Sequence, residues 1–283
     1  MKRIVITIFL TNILYANLST IVSILPEKIF VKAIGGNRVT VSLMVLPSNS
    51  PHTYEPKPSQ MKKVSQAQLY FAIGVGFEKI WLPKFKNLNS NINIIDLSQG
   101  IEKLPMTTGH LHEDIHHHEK EGELDPHIWL SPTNIAKMAE HIYTALSQAD
   151  PSNQAYYQKN LKIFLATVQE TDKKIQKILS VKPKGTAFMV VHPSWGYFAK
   201  AYGLTQLPIE IEGKKPKPKE LIMLIKKAKR KKVHAIFTQP ELSDNTAKVI
   251  AHELHISLIK ISPLASDWST NLIRIAKSIV GEE

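Results

Sequence analysis

The sequence contains no cysteine. Disulfides, thiolate metal sites, iron–sulfur ligation and a cysteine nucleophile are therefore excluded, and any metal ion must be held by nitrogen and oxygen. A lipid-modified N-terminal cysteine is likewise not expected. Glycine is sparse, with 12 among 283 residues, so nothing is collagen-like. Hydrophobic residues at 43% and charged residues at 21% are the proportions of an ordinary globular protein, neither disordered nor built of many membrane spans. At roughly 150 residues per domain, the length suggests two domains.

Acidic residues are in the minority. There are 24 Asp plus Glu against 36 Lys plus Arg, a formal net charge of +12. Such an excess raises nucleic acid or an anionic surface as a partner. The N-terminus argues against nucleic acid: Lys2 and Arg3 precede an apolar run over 4–14, and Tyr15-Ala16 places a small residue before polar Asn17. This is the pattern of a secretory signal peptide over 1–16, too short to remain as a membrane span. The basic stretch over 226–232 closes a helical pattern, where cations suit the negative end of the helix dipole. It reads first as a solvated face and second as a docking surface for an acidic partner.

Short β-rich runs fall at 20–25, 38–45, 69–73 and 92–97, and again at 187–191, 206–211, 233–238 and 257–261, with helical segments or loops between them. Strands alternating with helices predict an α/β fold of two lobes, each with a four-stranded, mostly parallel sheet flanked by helices. Between the two sets, Asp150 and Pro151 open a long amphipathic pattern with Tyr157, Leu161, Phe164, Leu165, Val168, Ile175, Ile178 and Leu179 on one stripe. The expected division is a leader over 1–16, an N-terminal lobe over 17–149, a linking helix over 150–181 and a C-terminal lobe over 182–283.

Twelve histidines fall into groups. His110, His112, His116, His117 and His118 crowd a polar tract over 109–119 that reads as a loop. Such a tract binds divalent ions adaptably but cannot fix ligand geometry, so an auxiliary capture role is expected. His52, His127 and His192 instead lie in proline-flanked turns: Pro51-His52-Thr53-Tyr54-Glu55-Pro56, Asp125-Pro126-His127-Ile128-Trp129 and Val191-His192-Pro193-Ser194-Trp195. Proline restricts the backbone beside each imidazole, and open α/β sheets bind ligands at the carboxyl ends of their strands. His52 and His127 from one lobe could therefore face His192 from the other across a cleft and form a three-histidine metal site. His141, His234, His252 and His255 read as structural or solvent-facing.

At these residues the chain resembles the metal-binding solute-binding proteins of bacterial ABC transporters, of the zinc-uptake type. The resemblance spans nearly the whole chain after the leader. It is carried by Pro51-His52-Thr53-Tyr54-Glu55-Pro56-Lys57-Pro58, by Asp125-Pro126-His127-Ile128-Trp129-Leu130-Ser131-Pro132, by His192 with Gly196-Tyr197-Phe198, and by Ile209-Glu210-Ile211-Glu212-Gly213. It implies two lobes joined by a long helix, with one divalent ion held between them by His52, His127 and His192 and delivered to a membrane permease. With an export leader and no lipobox cysteine, a periplasmic protein is expected, without a nucleic acid partner and acting as a monomer.

The family's fourth ligand is an aspartate before the Pro-Leu that follows the last strand, and here that position is Ser262. A hydroxyl is a poor ligand for a divalent ion, leaving water, Glu55, Asp267 or a histidine of the 109–119 tract as candidates. Three imidazoles favour Zn²⁺ over Mn²⁺, with Cu²⁺ and Ni²⁺ able to compete. Asp125 and Glu55 are the expected acceptors for the imidazole N–H groups facing away from the ion. An open three-histidine site also suits a secreted zinc hydrolase, but the chain has no HExxH helix and no Gly-x-Ser-x-Gly elbow. A surface adhesin or metal-buffering protein is the remaining alternative. Solute binding, with no enzymatic activity, is the expected function.

Overall fold

Pro26, Pro58 and Pro218 each stand in the first turn of a helix, where the missing N–H costs nothing. In each case a side chain one or two residues further on reaches back to the chain entering the helix. Glu27 accepts from the Ile24 N–H (2.9 Å), Gln60 from Lys57 (2.9 Å) and Glu220 from Lys217 (2.6 Å). This local chemistry punctuates the chain into alternating strands and helices. The structure is a computed structural model that describes residues 17–107, 124–211 and 213–282. The leader over 1–16 and the histidine-rich tract over 109–119 lie outside the described residues.

The first lobe runs β1 (Leu18–Val22), α1 (Leu25–Gly35), β2 (Val39–Leu43), α2 (Pro58–Ser65), β3 (Leu69–Ala72), α3 (Gly76–Leu88) and β4 (Asn93–Asp96), then α4 (Pro132–Ala149). A long helix, α5 (Gln154–Leu179), leads to β5 (Ala187–Val190), α6 (Gly196–Tyr202), β6 (Thr205–Pro208), α7 (Pro218–Arg230), β7 (Ile236–Thr238), α8 (Asn245–Leu254), β8 (Leu258–Lys260) and α9 (Trp268–Val280). Both sheets are wholly parallel, in the orders β2-β1-β3-β4 and β6-β5-β7-β8. The strand order therefore reverses beside β1 in one sheet and beside β5 in the other, and these are the places where open α/β sheets leave a crevice at their carboxyl ends.

The two-lobe α/β expectation is met, with the strands shorter than their hydrophobic runs. β1 stops at Val22 because the next two amides, of Ser23 and Ile24, donate to the buried Glu27 carboxylate (3.0 and 2.9 Å) instead of to a neighbouring strand. The linking helix also differs at its start: 151–153 form a 3₁₀ turn, and regular α-helix begins only at Gln154. Asp150 organises that turn by accepting from Ser152 Oγ, Asn153 Nδ2 and Tyr157 Oη, each at 2.7 Å.

At about 1.5 Å per residue, the 26 residues of α5 span roughly 39 Å, enough to run behind both lobes. Tyr157, Leu161, Phe164, Val168, Thr171, Ile175 and Leu179 form its buried stripe. Phe164 meets Phe30 of α1 (5.6 Å between ring centroids) and Trp268 of α9 (5.8 Å), so one side chain touches both lobes. The main core is continuous from the first sheet through α5 to Phe188, Val190 and Phe237 of the second. Their alternating neighbours Ala187, Met189 and Ile236 face a separate cluster under α7 and α8, as the two-residue period of a strand demands. Among the described residues no helix is long and apolar enough to cross a membrane.

Candidate metal centre

Two of the three histidine segments leave the carboxyl end of a strand. His52 lies in the connection after β2, where the Phe77 amide donates to the Pro51 carbonyl (2.9 Å) and ties the turn to α3. His192 follows β5 by two residues. His127 enters on a different support. The chain returns beside Pro105 as an antiparallel bridge at Leu124, and the Asp125 amide donates to the Leu104 carbonyl (2.8 Å).

The structure brings His52, His127 and His192 together. One ring nitrogen of each lies within 4.8 Å of the others. A tetrahedral zinc ion with bonds of about 2.05 Å requires nitrogens roughly 3.3 Å apart, so a modest contraction would complete three coordination bonds. Ring centroids are 5.4 Å apart for both His52–His192 and His127–His192, with interplanar angles of 70° and 68°. The rings converge edge to face rather than stacking. They line a cavity of about 50 Å³, room for an ion with one or two waters. A larger recess of about 780 Å³ adjoins it and shares His52, His192 and Leu242 among its walls.

Carboxylates hold the rings of His127 and His192. His127 Nδ1 lies 2.7 Å from Asp125 Oδ1, which also accepts from the His127 backbone N–H (2.9 Å). His192 Nδ1 lies 2.8 Å from Glu210 Oε2. An ionised carboxylate only accepts, so Nδ1 carries the proton in each ring and Nε2 keeps its lone pair. Nε2 of His192 is buried with no hydrogen-bond partner among the described residues. Burial holds the His127 imidazole below its ordinary pKa and outweighs the pull of Asp125 in the opposite direction. The ring is thus kept neutral, the form in which a metal is bound. His52, by contrast, is exposed at the mouth of the cavity.

Contacts between the lobes hold this geometry. Trp129 Nε1 donates to the Pro263 carbonyl (2.8 Å), and Tyr197 Oη donates to the Asp125 carbonyl (2.9 Å) while accepting from the Leu104 amide (3.1 Å). The His127 segment is therefore bound to the second lobe as well as the first. Gly196 makes room for this. A Cβ there would lie 2.7 Å from Asp125 Oδ2.

Of the acids considered from sequence, Asp125 is where it was expected, beside His127. Glu55 is exposed on the surface, and Glu210 is the carboxylate found beside the other oriented histidine. Asp267 is exposed and caps α9 by accepting from the Thr270 amide (3.3 Å), away from the cavity lining. Glu241, which sequence reasoning passed over, lines the cavity. A signal for it was present: Gln239-Pro240-Glu241 repeats, just after β7, the proline-flanked setting of the three histidines. Glu210 left a similar trace, as an acid just past β6. Outside the cleft, His141 Nε2 lies 3.0 Å from the Gln99 carbonyl, and His255 closes α8 in the left-handed conformation.

A family model described as zinc-uptake complex component A, periplasmic (ZnuA), matches residues 21–280. Among solved structures, a crystal structure of ZnuA superposes with a TM-score of 0.85 at 40% identity, covering 94% of this chain and 99% of that one. A ZnuA variant lacking residues 138–173 of its own numbering, with zinc bound, superposes equally at 0.85 and 40%, covering 94% and 97%. A putative metal-binding protein of Chlamydia trachomatis is 27% identical over 257 residues, 90% of this chain and 88% of the relative.

Proposed function

Since the chain belongs to the family of periplasmic zinc-uptake component A proteins, we propose that it captures Zn²⁺ with His52, His127 and His192 and delivers it to the membrane permease of an ABC transporter. The family is one of solute-binding proteins, so the hydrolase alternative is set aside. The observation that carries the reading is the convergence of three imidazoles from both lobes at one small cavity. Borderline nitrogen ligands in a tetrahedral arrangement favour Zn²⁺ over Mn²⁺, which prefers more oxygen.

The burial gradient supports an order of events. An ion arriving through the outer recess meets exposed His52 first. It then passes to His127 and His192, whose rings are already aimed, so little ordering remains to be done at the moment of binding. Release follows docking on the permease, which must separate ligands contributed by the two lobes.

The test is a calorimetric titration of the metal-free mature chain with Zn²⁺, beside His192→Ala. One tight site that disappears in the variant supports the cleft site. A tight site that survives His192→Ala excludes it.

A further inference from the structure

Ser262 stands where an aspartate ligand was expected, and its hydroxyl is already engaged twice. Oγ donates to Glu241 Oε1 (2.8 Å) and accepts from the Leu264 amide (3.0 Å), leaving little with which to bind an ion. The residue it holds is the telling one. Glu241 lies just past β7, at the carboxyl end of a central strand, and among the described residues it is the one acid lining the cavity shared by His52, His127 and His192. Its Oε2 is buried and has no hydrogen-bond partner among the described residues.

Two residues that line one small cavity therefore each carry a buried acceptor without a partner among the described residues: Oε2 of Glu241 and Nε2 of His192. A carboxylate oxygen desolvated without a donor is costly, and a pair of such lone pairs facing one cavity calls for a bridging water or a cation, of which the cation also balances the carboxylate's charge. The neighbouring acids are placed otherwise: Asp125 Oδ2 is also buried without a partner among the described residues, but it faces Gly196 and Asp125 is not among the residues lining this cavity. Asp125 and Glu210 hold the Nδ1 atoms of His127 and His192, and Asp267 caps a helix.

We propose that Glu241 is the anionic fourth ligand of the bound ion, through Oε2, with Ser262 holding Oε1. The proposal rests on the three-histidine reading and extends it. The carboxylate of Glu241 lies outside the set of ligand atoms found within 4.8 Å of one another, so the side chain turns toward the ion as the site fills. The acid expected on the loop after β8 is thus moved to the loop after β7, and the serine left behind becomes its support. The shell then draws two ligands from each lobe. Its carboxylate lowers the net charge of an ion held by neutral imidazoles from +2 to +1.

The experiment measures Zn²⁺ affinity of the full mature chain by competition with a chromophoric chelator, and the visible spectrum of the Co²⁺ form, for the parent, Glu241→Gln, Ser262→Ala and His192→Ala. Glu241→Gln is expected to weaken Zn²⁺ binding at least about tenfold and to change the Co²⁺ ligand-field bands. Ser262→Ala, which frees the carboxylate without removing it, is expected to weaken binding less and to keep the bands. An affinity lost in Glu241→Gln with an unchanged Co²⁺ spectrum would place the acid outside the coordination shell and overturn direct ligation. Parent-like affinity and spectrum in Glu241→Gln, with binding abolished by His192→Ala, overturns Glu241 while the three histidines stand. Tight binding in His192→Ala removes both.

Discussion

Asp125 bears several of the demands made on the cleft. One oxygen accepts both the ring and backbone N–H of His127, and its carbonyl receives Tyr197 from the other lobe. The second oxygen faces Gly196 so closely that a methyl group there would lie 2.7 Å away. Because Oδ1 is pinned twice, the carboxylate cannot swing aside without releasing the imidazole. Gly196→Ala is therefore expected to weaken Zn²⁺ binding by roughly 10–100-fold, as loss of a ligand-orienting partner does. Chelator competition together with an unchanged far-ultraviolet dichroism spectrum would separate this from unfolding.

A second residue-scale consequence lies away from the cleft. Glu78 is buried, receives the Ser23 hydroxyl and the amides of Ile73 and Gly74, and lies close enough to Glu27 for the two carboxyls to influence one another. Burial raises its pKa from 4.5 to about 7, with Asp96 adding to the rise, and raises Glu27 in the same sense. The folded state thus holds protons that the unfolded chain has already released. Their stabilising contribution is complete below about pH 4.5 and is lost as pH climbs toward 7, each retained proton costing about 1.4 kcal/mol per pH step of one. Urea unfolding of Glu78→Gln should show a shallower decline between pH 5 and 7.5 than the parent; an equal slope would refute the assignment.

At the scale of elements, α5 does more than connect. Phe164 is the point where α1, α5 and α9 share one aromatic cluster, since Phe30 and Trp268 also meet each other at 5.9 Å. Phe164→Ala should cost about 3–5 kcal/mol in urea denaturation, the usual range for deleting a buried phenylalanine. Loss of both lobes in one transition is expected, because the core runs unbroken between them. The positions of all eight strands and the spine could be read in the sequence, because β-branched runs and a 3.6-residue stripe are direct images of burial. Their ends could not. The end of β1 depends on a side chain, Glu27, competing for backbone amides, and the start of α5 depends on Asp150 gathering three donors. The three histidines were legible because proline marks each turn. Glu241 and Glu210 were harder to find, since an acid beside a strand end looks the same whether it meets solvent or an imidazole until the lobes are assembled around it.

For the whole molecule, the three cleft histidines are brought together by residues outside the histidine-rich tract. The chain entering it and the chain leaving it are tied to each other, by the bridge between Pro105 and Leu124 and by the Asp125–Leu104 hydrogen bond, so the ends are held in place without the tract. Thr107 and Leu124 line the outer recess rather than the inner cavity. Deleting 109–119 is expected to leave one tight Zn²⁺ site by calorimetry, with at most weaker additional binding lost. Disappearance of the tight site would mean that the tract supplies its essential ligands.

The indole of Trp129 packs 5.2 Å from the His127 ring while its N–H crosses to Pro263 on the opposite lobe. An intrinsic fluorophore is thereby in contact with the ring of a proposed metal ligand at one end and spans the seam between lobes at the other. Its emission senses both the electronic state of the imidazole and the integrity of the seam, so loading and opening can be followed in real time on the unlabelled protein, once the signals of Trp81, Trp195 and Trp268 are subtracted with a Trp129→Phe control.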